Sequence, residues 1–168
     1  MFLCVDVHYS GTEAVAAGVV FKDIESSVIY REYIEKINKV HDYIPGQFYK
    51  RELPVLLAVI NTVHEEIHTI IVDGYVWLSD DRQPGLGWYL YSALEEKIPV
   101  IGVAKSEYKD ISGAIKIYRG RSNKPLYVTS AGLPENEAIR LIKMMHGDFR
   151  IPTLLKYVDN LARKSFPP

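Results

Sequence analysis

Apolar and polar positions along the chain follow two rhythms, one after the other. Residues 2–8 form a mostly apolar run and 14–21 a small, β-branched one, and both read as buried strands. Residues 27–34 alternate, with Val28, Ile29, Tyr30 and Tyr33 favouring a third strand. Ser10-Gly11 and residues 23–26 are short, turn-like links, which predicts an antiparallel three-strand meander. A loop over 38–47, punctuated by Pro45-Gly46, ends this pattern. The spacing then becomes helical over 51–63, where Leu53, Leu56, Leu57, Ile60 and Val63 make a stripe and Pro54 is tolerable in the first turn. A short buried strand over 69–72 stops at Asp73-Gly74. A loop over 75–85, a helix over 86–97 and a buried strand over 99–104 come next. Strands over 114–119 and 126–129 flank a turn-like stretch. Helices over 134–146 and 153–164 close the chain, the second with Thr153 as its expected N-cap.

A meander leading into α/β crossovers predicts an α/β fold with a mixed sheet and helices on both faces, the first and fourth strands side by side. That order is the ribonuclease H-like topology. No repeat, low-complexity segment or linker interrupts it, so residues 1–168 are expected to form one domain.

Composition adds limits. A hydrophobic fraction of 48% and a charged fraction of 24% are ordinary for a globular protein. No apolar run is long enough to span a bilayer, and the first residues lack a signal-peptide pattern. The single cysteine, Cys4, lies in a buried run and has no internal partner, so a reducing cytoplasm is the expected setting. A monomer is the default expectation. The net charge of −1 hides a gradient: residues 1–100 carry 8 basic and 15 acidic side chains, residues 101–168 carry 12 and 6. Such a division suits a site where carboxylates hold metal and basic groups receive phosphate, although two solvated faces give the same totals.

Asp6 lies inside the first buried strand, where a charge is costly unless paired or bound to a cation. Asp73 ends the fourth strand. If those strands are neighbours, the two carboxylates repel each other, and a hard divalent cation such as Mg²⁺ or Mn²⁺ is the common remedy. Glu52 reads as a helix-dipole acid and Asp159 as a flank residue of the last helix. The scattered His8, His41, His64, His68 and His146, with no Gly-x-Ser-x-Gly elbow, exclude a serine hydrolase. One cysteine and no paired histidine spacing argue against zinc.

Several separated segments carry a more specific signal. They are Val5-Asp6-Val7, then Tyr43-Ile44-Pro45-Gly46 with Arg51-Glu52, Val72-Asp73-Gly74, the run from Pro99 to Lys105, and Arg150, Pro152, Lys156 and Asp159. In this order they resemble the endonuclease V family, whose members cut nucleic acid near hypoxanthine. The resemblance implies that Asp6, Glu52, Asp73 and Asp159 bind Mg²⁺, with Mn²⁺ as a substitute, and activate water for phosphodiester hydrolysis. It implies that Lys105 meets phosphate, that Tyr43, Ile44, Pro45 and Gly46 form a wedge, and that Gly74, Gly85 and Gly102 let backbone approach a flipped base. The activity implied is cleavage 3′ to a deaminated base in DNA or RNA, in repair. Three motifs depart from the family. Asp73-Gly74-Tyr75-Val76 replaces Asp-Gly-His-Gly, residues 79–84 replace a His-Pro-Arg, and Gly132-Leu133 replaces Gly-His. The alternatives are an inactive nucleic-acid-binding module of the same fold, or a nuclease for another structured substrate such as branched or abasic DNA.

Overall fold

The computed structural model describes residues 1–40, 48–108 and 114–166. Strands β1 (Phe2–Ser10), β2 (Glu13–Phe21) and β3 (Arg31–Ile37) lead into helix α1 (Phe48–Ile60) and strand β4 (Thr69–Asp73). Helix α2 (Leu86–Ala93), strands β5 (Val100–Ala104), β6 (Ile115–Ile117) and β7 (Leu126–Ala131), and helices α3 (Glu135–Met144) and α4 (Thr153–Lys164) complete the chain. The sheet order is β3-β2-β1-β4-β5-β7-β6, with β1, β4 and β5 mutually parallel and the remaining pairs antiparallel. This is the ribonuclease H-like mixed sheet expected from the sequence.

Side-chain alternation divides the core in two. Cys4, Ile71, Ile101 and Leu126 face α3 and α4. Leu3, Val5, Ile70, Val72 and Val100 face α1 and α2. Burial on both faces is why the central strands read as nearly continuous apolar runs rather than as alternating ones.

Four local expectations are corrected. The third strand begins at Arg31, not near residue 27, because side chains hold the preceding segment in turns. Asp23 Oδ1 accepts the Glu25 N–H (3.0 Å) and Ser26 Oγ accepts the Val28 N–H (3.0 Å), leaving Val28 72% exposed. Pro54 lies in the second turn of α1, since that helix starts at Phe48. The missing N–H costs one ladder bond, offset by burial of Val55, Leu56 and Val59. Helix α2 stops at Ala93, where Glu95 and Glu96 take φ of 56° and 59° and turn the chain back toward β5. Thr153 is the first residue of α4 rather than its cap. Pro152 holds the cap position, and the Thr153 N–H donates to the His146 carbonyl at 2.9 Å.

Gly102 fixes how closely the loop after β4 sits against the sheet. A Cβ there would lie 2.6 Å from the Gly74 carbonyl oxygen and 2.9 Å from the Val76 nitrogen, so its absence lets residues 74–76 rest directly on β5. Gly102→Ala is expected to destabilise the fold by about 1–3 kcal/mol, the usual cost of overpacking. Urea unfolding measures it, and an unchanged midpoint would show that the loop lifts without cost.

Candidate metal centre

The site arises where β4 ends and β1 continues. Their parallel register runs through Val5 opposite Val72, so Asp6 and Asp73 occupy the next step of adjacent strands. Neighbouring strands lie about 4.8 Å apart, and equivalent residues of a parallel pair point the same way. By alternation, both carboxylates fall on the face of Cys4 and Ile71, against which α4 packs.

The other groups come from three directions. Lys105 follows the last residue of β5, and its Nζ donates to Asp73 Oδ2 at 2.6 Å. Asp159 comes from α4, its Oδ1 held by Arg163 Nε at 2.9 Å. Glu52 reaches in from α1 on the opposite layer. It is buried, and its Oε2 has no hydrogen-bond partner. Beside it, the Arg51 guanidinium stacks 4.3 Å above the Tyr9 ring and donates to the Gly11 carbonyl at 3.3 Å.

Asp6, Glu52, Asp73, Lys105 and Asp159 all line one cleft of about 700 Å³, with Gly74 and Gly85 at its rim. Gly102 lies beneath that rim. A Cβ on Gly85 would meet the Tyr75 carbonyl oxygen at 2.5 Å, so Gly85, like Gly102, admits the chain's own backbone. Tyr43, Ile44, Pro45 and Gly46 lie outside the described residues. Sequence reasoning missed the Arg163 partner of Asp159, although its i,i+4 spacing was readable. It also missed the Tyr49–Tyr89 stack (3.7 Å between centroids) that joins α1 to α2 at the cleft wall, a contact no local pattern announces.

The electrostatics are those of crowded, desolvated acids. Burial, then the Asp73 charge, pushes the Asp6 carboxyl up to about 7. Burial, then Asp6 and Asp73, pushes Glu52 up to about 8. Burial alone would lower Lys105, but its hydrogen bond to Asp73 and the charges of Asp73, Asp6 and Asp159 hold it above the usual range. Among the described residues, no three His, Cys, Asp or Glu side chains are arranged to hold an ion as they stand. Lys105 supplies the positive charge facing Asp73. The donor set nevertheless suits a divalent cation chemically: hard oxygens only, mutually repelling, one of them buried and unpartnered.

Comparison with known proteins gives the family. The endonuclease V family model matches residues 1–124. Endonuclease V of Saccharolobus islandicus is 30% identical over 102 residues, which are 61% of this chain and 48% of that protein. The chain thus spans about half the length of such relatives. Endonuclease V of Geotalea uraniireducens is 29% identical over 180 aligned positions, covering 94% of this chain and 74% of that one. A crystal structure of Ciona intestinalis endonuclease V, in complex with a 24mer DNA containing an inosine followed by a ribo-adenosine, superposes with a TM-score of 0.78 at 20% identity. The superposition covers 97% of this chain and 84% of that one. The chain belongs to the endonuclease V family.

Raised carboxyl pKa values make the folded chain bind more protons than the unfolded one between the ordinary carboxyl range, about pH 4, and about pH 8. In chelator, stability is therefore expected to fall as pH rises through that window. Glu52→Gln removes part of the fall, so its melting temperature should exceed that of the unmodified chain at about pH 8 and match it near pH 4. Parallel profiles from thermal melts would contradict this.

Proposed function

From membership of the endonuclease V family and the carboxylate cleft, we propose that this chain is a metal-dependent endonuclease acting in DNA repair. It hydrolyses the phosphodiester bond 3′ to a deaminated base, deoxyinosine in DNA or its counterpart in RNA. The observation that carries this reading is the register of Asp6 and Asp73 on adjacent parallel strands, with the unpartnered Glu52 oxygen facing the same cleft. Residues 1–168 act as one catalytic domain, working as a monomer in the cytoplasm. Among the described residues, no helix is long and apolar enough to cross a membrane.

Asp6, Glu52 and Asp73 would hold Mg²⁺, or Mn²⁺ in its place, with Asp159 as a fourth carboxylate. When bound, the cation supplies a nucleophile at neutral pH and offsets charge building on the phosphate oxygens. The chain's own groups do the rest. Lys105 exchanges Asp73 Oδ2 for a phosphate oxygen and acts there as a point charge. Arg163 keeps Asp159 turned into the cleft. Gly74, Gly85 and Gly102 shape the rim where a flipped base would approach, Gly85 and Gly102 by letting the chain's own backbone pack there, and Tyr43, Ile44, Pro45 and Gly46 wedge the strand open. A second reading, the same chemistry on another structured substrate, draws on Tyr75. Its hydroxyl donates to the Ser106 carbonyl at 2.8 Å, and its ring occupies the rim where the family carries histidine.

Labelled single- and double-stranded oligonucleotides containing inosine, an abasic site or a branch test both readings with Mg²⁺ and with Mn²⁺. Inosine cleavage is expected, and Asp73→Asn should slow it at least about 100-fold, the scale seen when an essential electrostatic group is lost. Cleavage of only the other substrates selects the second reading. No metal-dependent cleavage of any of them leaves a binding module. Independently, Mn²⁺ at 100 times its Kd should stabilise the chain by about 2.7 kcal/mol in thermal melts. Asp6→Asn with Asp73→Asn should abolish that gain.

A further inference from the structure

On the α4 side of the sheet, past Asp159, the carboxylate cleft opens into a larger groove of about 1480 Å³. It lies between residues 118–122 after β6, residues 147–151, and α4. Lys105, Asp159 and Arg163 line both spaces, so the two are continuous. Seven Lys and Arg side chains line the groove against two carboxylates, Asp148 and Asp159. Arg121 and Lys143 are exposed and, among the described residues, have no carboxylate partner.

The groove is built rather than merely solvated. Arg119 is buried at its floor, and its guanidinium donates to backbone carbonyls only: Phe149 at 3.0 Å, Gly147 at 3.1 Å, and Met145. Its charge is therefore held in place, with Asp148 as the carboxylate acting on it from nearby. Arg150 donates to the Pro125 carbonyl at 2.8 Å and to the Lys105 carbonyl, tying one wall to the residue that faces the cleft. Gly120, at φ +59°, lets its turn touch residue 148, since a Cβ there would run into the Asp148 carbonyl oxygen. On this fixed frame stand two aromatics turned to solvent, Phe149 at 78% exposure and Tyr118 at 59%. Apolar rings left outside a frame this well anchored contribute nothing to the core.

The geometry points to a binding track for single-stranded nucleic acid leaving the cleft, its bases stacking on Phe149 and Tyr118 and its phosphates met by Arg121 and Lys143. Three features select that occupant. Exposed rings set among unpaired cations suit unpaired bases, whose flat faces are free, whereas a duplex presents only its backbone and edges. The excess of positive charge suits a polyanion. The continuity through Lys105 places the track beside the cleft where a phosphodiester would be cut, and in this the inference rests on the proposed nuclease function.

Fluorescence anisotropy of a labelled oligothymidylate, in chelator so that nothing is cut, tests the track. Phe149→Ala and Tyr118→Ala should each raise Kd about 5- to 150-fold, the equivalent of losing one stacked base. Arg121→Ala combined with Lys143→Ala should reduce the slope of log Kd against log salt by about 1.4. With inosine substrate, KM should rise in these variants for substrates carrying a single-stranded arm. Unchanged Kd and salt slope throughout would overturn the track even in an active nuclease. Weaker binding in the charge variant alone would also overturn it, leaving a general polyanion patch. Loss of oligothymidylate binding in the aromatic variants of a chain that cuts nothing would support the track and sink the nuclease instead.

Discussion

Everything at the site stems from one awkward juxtaposition, two carboxylates at the same step of adjacent parallel strands. Where β4 ends, Asp73 stands beside Asp6, and α4 closes over both. Burial denies Asp6 most of its water while the two charges repel, and neither effect is relieved by rearranging the sheet, because the register is set by Leu3, Val5, Ile70 and Val72 in the core behind. The chain answers with Lys105 from the next strand, whose position after β5 is dictated by the β4–β5 register. That ammonium balances one carboxylate. Asp6 and the still more enclosed Glu52 stay buried beside like charge, which is why both hold their protons toward neutrality.

How much of this was legible in the sequence depended on how local each cause is. Asp6 stood out because a charge within a buried run violates the pattern around it, and Asp73 because it ended such a run. Glu52 and Asp159 broke no local rule and acquired meaning only from the family resemblance. The meander and the crossovers were readable from periodicity. The start of β3 was not, because the turns at Asp23 and Ser26 depend on side-chain bonds that compete with a strand-like sequence. Insertion of β7 between β5 and β6 is a long-range pairing with no local signature. Arg119 was invisible for the same reason: an arginine reads as surface unless one knows that carbonyls of residues 145–150 converge on it.

The charge gradient along the chain gains a spatial meaning from the fold. Asp6, Glu52 and Asp73, all from the acidic first part, meet in the cleft. Every residue lining the basic groove lies at position 105 or beyond. The two regions are brought side by side because β5 carries the chain past the acidic pair just before the basic part begins, and because α4 returns across the same face. Lys105 is the hinge of this arrangement, the first basic residue after β5 and, with Asp159 and Arg163, one of three shared by both spaces.

The altered recognition loops bear on chemistry as well as on specificity. Residues 74–76 rest on β5 because Gly102 has no side chain, and the Tyr75 hydroxyl bonds to Ser106, the residue after Lys105. The rim is thus tied to the strand end that carries the ammonium facing Asp73. The Val76 N–H donates to Thr129 Oγ1 at 2.8 Å, so β7 supports the same rim from behind. A change at Tyr75 therefore cannot be confined to the rim, since its hydroxyl is bonded to the carbonyl of the residue next to Lys105. Divergence of the loop beside a retained carboxylate pair is then best understood as a constraint on what the rim admits. The repulsion between Asp6 and Asp73, and the need for positive charge that it creates, remain whatever side chain stands at the rim.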